Sequence, residues 1–161
     1  MRPPNRKTIV CVIGTRPEAI KMAPIILALR EVSWASCRIL LSGQHRDLVR
    51  PILDLFNIEP DLDLDVMRHN QALPELTADL MTGLSRTIAQ EHADLVLAQG
   101  DTTTVLASAL VSYYLRIPFG HVEAGLRTRR LDSPFPEEGN RVVAGQLSSL
   151  HFAPTKSARS N

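Results

Sequence analysis

The chain has 161 residues, 44% of them hydrophobic and 22% charged, which suits one ordinary folded domain with a core of its own. Its 18 basic residues face 17 acidic ones, a net charge of +1, so no global field draws nucleic acid or an anionic membrane. Only Cys11 and Cys37 are cysteines, each in an apolar stretch without a second ligand at metal spacing; this excludes a disulfide framework and predicts reduced core thiols.

The basic start, residues 1–6, is expected to be disordered. The apolar run that follows stops at Ile13, too short for a signal peptide or a membrane span, so a cytoplasmic protein is expected. Thr8 to Ile13 is itself β-branched and apolar, the pattern of a buried parallel strand. Pro17 then opens a helix with Ile20, Ala23, Ile26 or Leu27 and Arg30 at helical spacing. Arg38 to Ser42 reads as the second strand, and Asp47 to Phe56 as a short helix with Leu48, Ile52, Leu55 and Phe56 on one face. Leu62 to Val66 alternates apolar and acidic residues, as an edge strand does.

Leu73 to Glu91 is a long amphipathic helix with Leu76, Leu80, Leu84 and Ile88 every fourth residue. Asp94 to Gln99 is a strand, Thr103 to Leu115 an apolar helix, and Phe119 to Val122 a strand. A polar loop from Gly125 to Pro136 leads to a helix over Glu137 to Leu150, a brief strand at His151 to Ala153, and an N-cap at Thr155. Strand and helix alternate with short connections. The predicted fold is α/β, a doubly wound parallel sheet with helices on both faces.

Sheets of this kind bind ligands beyond the carboxyl ends of their strands. Polar residues collect there beside glycines: Gly14 to Glu18 with Lys21, Gly43 to Arg46, Gly100 to Thr104, and Glu123 to Thr128. Ser133 to Arg141 adds a further set at the next helix start. The first stretch lacks the second and third glycines of a dinucleotide fingerprint and is no Walker loop, so nothing supports bound NAD or ATP. Asp101 and Thr102 also suit a plain helix cap, His121 reads as a structural histidine, and one of Glu137 and Glu138 as a helix-start acid. Glu123 is harder to assign to structure alone, because a carboxylate after an apolar strand needs a partner. Asp101, Glu123 and Glu137 would converge on one rim with Arg16 and Lys21, an arrangement for moving protons on an anionic substrate.

GTRPEAIKMAP from Gly14, GDTTT from Gly100, HVEAGLRT from His121, and PFPEE from Pro134 with Asn140-Arg141 together resemble the non-hydrolysing UDP-N-acetylglucosamine 2-epimerases. The resemblance runs from Lys7 to Asn161 and covers the first domain of a family whose members are about twice this length or more. It implies a Rossmann-like domain over 7–161, the N-terminal part of a glycosyltransferase-B architecture, with the C-terminal UDP-binding domain absent. It further implies interconversion of UDP-N-acetylglucosamine and UDP-N-acetylmannosamine with neither cofactor nor metal, through elimination of UDP to 2-acetamidoglucal and re-addition. Asp101, Glu123 and Glu137 match the family's catalytic acids; Arg16 and Lys21 match its diphosphate-side cations, with Thr102 and Arg141 also at the substrate.

Gln44, His45 and Arg46 match the stretch that serves a regulatory substrate site, although Asp47 and Asn70 stand where some allosteric relatives carry Gln and Arg. Complete relatives are expected to be homodimers, with no nucleic-acid or membrane partner, and this chain alone is expected to have little activity. Two other readings are a hydrolysing epimerase or glycosyltransferase-B transferase domain, and a non-catalytic remnant or partner domain.

Overall fold

The computed structural model describes residues 6–43, 46–68 and 70–161, with Arg46 in backbone only. Of the segment expected to be disordered, Arg6 alone is described; its Nε donates to Ser33 O at 2.8 Å. The rest lies outside the described residues, as do Gln44 and His45.

The elements run β1 (Lys7–Ile13), α1 (Arg16–Glu31), β2 (Ala35–Leu41), α2 (Arg46–Leu55), β3 (Leu62–Asp63), α3 (Leu73–Gln90), β4 (Leu95–Gln99) and α4 (Thr103–Leu115). They end with β5 (Phe119–Val122), α5 (Glu137–Leu147), β6 (Leu150–Phe152) and α6 (Lys156–Arg159). Six parallel strands form one sheet in the order β3-β2-β1-β4-β5-β6. This is the doubly wound, Rossmann-like arrangement that the alternation predicts.

β1 is the central strand, and its alternate side chains divide the core. Ile9, Cys11 and Ile13 pack under α1 and α2, while Val10 and Val12 pack under α3, α4 and α5. Because both faces are covered, residues 8–13 are all buried, which explains the unbroken apolar run. The strand order reverses between β1 and β4, where α1 and α4 leave on opposite faces. In sheets of this kind that switch point, at the carboxyl ends of the strands, is where ligands commonly bind.

α3 buries Leu76, Leu80, Leu84 and Ile88 as its spacing predicts. Two predicted faces hold in part: Ala23 and Ile26 of α1 are buried, and Ile52 and Phe56 of α2 pack partly buried against the core. In α2 the core is reached by Val49 and Leu53, while Leu48 and Leu55 are exposed. In α1 the buried set is Ala19, Met22, Ala23 and Ile26, leaving Ile20 and Leu27 outside. Both helices carry more aliphatic residues than their contact stripe needs, so the tertiary fit chooses among them. α5 ends at Leu147, three residues before its predicted end, and Leu150 starts β6 instead.

Cys11 and Cys37 are free thiols with Sγ atoms 3.7 Å apart. Cys11 pairs in register with Ile39 and Cys37 with Ile9, so the two are diagonal neighbours. Among the described residues no helix is long and apolar enough to cross a membrane.

Candidate active site

Three turns at the carboxyl ends of the strands build the candidate site. The first follows β1. Gly14 is buried there because a Cβ would stand 2.5 Å from Thr104 Oγ1 and 2.7 Å from Ser42 Oγ. Only glycine lets this turn approach α4 so closely. Arg16, the first residue of α1, is exposed and makes no hydrogen bond or ion pair among the described residues. Lys21 is carried one turn further along the helix.

The second turn joins β4 to α4. Gly100 has φ +94°, which reverses the chain and presents Asp101 and Thr102 at the rim. Thr102 caps α4 by accepting from Val105 N. The third follows β5, where Glu123 sits in the left-handed region at φ +63°. That conformation turns the carboxylate back over the strand ends.

Lys21 Nζ lies 2.6 Å from Glu123 Oε1, and Gln99 Nε2 donates to Glu123 Oε2, so both carboxylate oxygens are occupied. Arg141, from α5, reaches beneath the rim with 6% of its side chain exposed. Its Nη2 donates to Asp101 Oδ2 at 2.6 Å and stands 4.0 Å from Glu123 Oε2, while its Nη1 donates to the Glu123 carbonyl. One guanidinium therefore ties Asp101 to Glu123. Among the described residues Asp101 Oδ1 has no hydrogen-bond partner, and the side chain is 31% exposed.

Buried polar groups hold the Asp101 turn from behind. Asn140 Nδ2 donates to the Asp101 carbonyl at 2.9 Å. His121 Nε2 is 2.6 Å from the Gly100 carbonyl. A carbonyl can only accept, so Nε2 carries the proton and Nδ1 is a buried acceptor with no partner among the described residues. Burial pushes the imidazole below its ordinary value, which keeps it neutral. His121 thus supports the Gly100 turn through one ring nitrogen, as a structural histidine would. Behind it lies a cavity of about 380 Å³, walled in part by His121, Arg141, His151 and Arg159.

The two adjacent glutamates of α5 part ways. Glu138 is buried and accepts from Arg127 Nε, Thr128 N and Arg129 N, which pins the loop before the helix. Glu137 is half-buried and makes no hydrogen bond or ion pair among the described residues. The structure thus gathers Lys21, Asp101, Thr102, Glu123 and Arg141, and leaves the side chains of Arg16 and Glu137 without a hydrogen-bond or ion-pair partner among the described residues. Of Gln44, His45 and Arg46, only the backbone of Arg46 is described.

The sequence reading missed three residues of this arrangement. Gln99 sits inside a strand, and its proximity to Glu123 depends on strand pairing. Asn140 is part of a quoted motif, but nothing local shows its bond to Asp101 O. Glu18 accepts from Gly14 N, from Thr15 N at 3.0 Å and from Thr102 Oγ1 at 2.7 Å. It did carry a local signal: Thr15 followed three residues later by Glu18 is the capping-box pattern.

Fold and site together define a doubly wound α/β domain that presents linked carboxylates and cations at its switch point. The family model described as UDP-N-acetylglucosamine 2-epimerase matches residues 27–161, and the chain belongs to that family, whose members are isomerases. It is 50% identical over 155 residues to a probable UDP-N-acetylglucosamine 2-epimerase of Ralstonia nicotianae, covering 96% of this chain and 41% of that protein. It is 48% identical over 153 residues to the UDP-N-acetylglucosamine 2-epimerase of Escherichia coli K12, covering 95% and 41%. The crystal structure of a Neisseria meningitidis UDP-GlcNAc 2-epimerase bound to UDP-GlcNAc superposes with a TM-score of 0.92 at 45% identity, covering 96% of this chain and 42% of that one. The chain thus spans about two fifths of the length of the curated relatives it matches.

Proposed function

We propose that this chain is the acid–base domain of a non-hydrolysing UDP-N-acetylglucosamine 2-epimerase, the N-terminal half of a glycosyltransferase-B pair whose second domain supplies most of the UDP contacts. The observation that carries the reading is the Asp101–Arg141–Glu123 link. It puts two carboxylates, one with an open oxygen, at the carboxyl ends of adjacent strands β4 and β5.

In the proposed reaction a carboxylate at this rim removes the C2 proton of UDP-N-acetylglucosamine. The C2–H electron pair becomes the C1–C2 double bond, and the anomeric C1–O bond breaks with its electrons leaving on UDP. UDP then adds back at C1 while a proton is delivered to the other face of C2, giving UDP-N-acetylmannosamine. Asp101 is the better first base, because Oδ1 is open while both oxygens of Glu123 are bonded. Arriving diphosphate competes for Lys21 and would release Glu123 for the second proton transfer. Arg16 is free to meet the same phosphates. Glu137 is the third acid in this scheme, and Thr102 faces the sugar. Gln44, His45 and Arg46 are proposed for a second substrate site. No step requires a nicotinamide or a metal.

The test joins residues 1–161 to the second domain of a full-length relative and follows UDP-N-acetylglucosamine by NMR. The joined protein should form UDP-N-acetylmannosamine, and the 161-residue chain alone should form none, because one wall of the cleft neither orients the sugar nor excludes water. Accumulation of free N-acetylmannosamine and UDP would assign the hydrolysing reaction instead. Interconversion by the short chain alone would contradict the two-wall requirement.

A further inference from the structure

We infer that Glu18 is a positioning residue, a buried clasp that fixes the turn bearing Asp101 to the turn bearing Arg16. The inference rests on the proposed function only in what the clasp is for. In sheets of this kind the backbone N–H groups at the first βα turn commonly meet a phosphate. Here Gly14 N and Thr15 N both donate to Glu18 Oε2, so the chain's own carboxylate fills that position. The other oxygen, Oε1, accepts from Thr102 Oγ1, and Thr102 in turn caps α4. One carboxylate therefore bridges the N-terminal ends of α1 and α4, the two helices that diverge at the switch point.

Glu18 is 2% exposed and makes no ion pair among the described residues. The positive ends of two helix dipoles and three hydrogen bonds oppose its desolvation in part. His121, Asn140 and Arg141 hold the same Asp101 turn, but from β5 and α5. Glu18 ties it by side-chain hydrogen bonds to the turn between β1 and α1. Without the clasp, the Arg16 side of the candidate site and the Asp101 side can shift relative to each other. A shift near 1 Å is enough to impair proton transfer to an oriented sugar.

The hydrogen bonds, not the charge, make the clasp. Glutamine at position 18 can accept from the turn amides through its carbonyl and donate to Thr102 Oγ1 through its amide. Alanine can do neither, but it leaves a pocket of carboxylate size. The joined protein is therefore compared as wild type, Glu18→Gln and Glu18→Ala, with and without formate.

Glu18→Ala should lose on the order of tenfold to a hundredfold in kcat with KM within about threefold of wild type. Glu18→Gln should stay within a few-fold of wild type in both. Formate should restore part of the Glu18→Ala activity in a saturable way. In the 161-residue chain, amide exchange at Gly14, Thr15 and Val105 should rise together in Glu18→Ala and fall again with formate. An unchanged kcat in Glu18→Ala, or exchange that rises at one turn and not the other, would overturn the clasp. If the wild-type joined protein is inactive, the functional reading falls, and the exchange measurement still decides the coupling of the two turns.

Discussion

Glu18 and Glu138 are both 2% exposed, and both accept two backbone N–H bonds and one side-chain bond. Burial pushes each carboxyl upward. At Glu18 the third donor is a neutral hydroxyl, and burial wins, so its carboxyl is raised above the ordinary value. At Glu138 the third donor is the Arg127 guanidinium; together with Thr128 N and Arg129 N it outweighs burial, and the carboxyl is lowered. Linkage gives these shifts opposite signs. The contribution of a raised carboxyl is complete below its unfolded value and lost as pH rises through its folded one. That of a lowered carboxyl is complete above its unfolded value and lost as pH falls through its folded one. In urea titrations across the carboxylate range, Glu18→Gln should therefore gain stability relative to wild type as pH rises. Glu138→Gln should be the less stable protein at neutral pH, with the gap closing toward acid. Parallel stability curves for wild type and both variants would contradict this account.

At this scale the sequence shows which residue types are present but not whom they meet. Glu123 after an apolar strand signals the need for a partner, and Lys21 and Gln99 are that partner set. That Glu18 meets Thr102, 84 positions away, depends on the strand order and could not be read from either segment.

Among the elements, glycine position separates close approach from plain flexibility. Gly14 lets the β1–α1 turn lie against Thr104 and Ser42, whereas a Cβ on Gly139, inside α5, would meet nothing within 4 Å. Gly14→Ala should cost about 1–3 kcal/mol of unfolding free energy through forced displacement of α4. Gly139→Ala, in the first turn of α5, should add about 0.4–1 kcal/mol by reducing the conformational entropy of the unfolded chain. Denaturant midpoints check both, and equal effects of the same sign would refute the packing distinction. Element type was legible almost throughout, because β1, β4 and β5 are buried on both faces and α3 keeps a strict four-residue repeat. Helix faces were less legible where aliphatic residues were in surplus. In α2 the exposed Leu48 and Leu55 mimic a core stripe that Val49 and Leu53 in fact provide.

For the whole molecule, the carboxyl end of the sheet supplies the proposed wall of a cleft and the rim proposed for the acid–base chemistry. Leu126, Leu131 and Phe135 are exposed on the loop between β5 and α5, beside that rim. Apolar side chains beside a polar rim are suited to contact with a facing domain, and they favour self-association of the chain when it stands alone. The family follows from the family model and the sequence relatives together. The assignment of acid–base roles rests on the geometry around Arg141.

The central claim, that the Asp101–Glu123 rim moves the C2 proton, is tested most directly by solvent exchange. UDP-N-acetylglucosamine incubated in D2O with the joined protein should acquire deuterium at C2. Asp101→Asn should slow that exchange by roughly a hundredfold or more, the scale of a lost general base. Wild-type exchange in Asp101→Asn, or epimerisation without any deuterium at C2, would contradict the account.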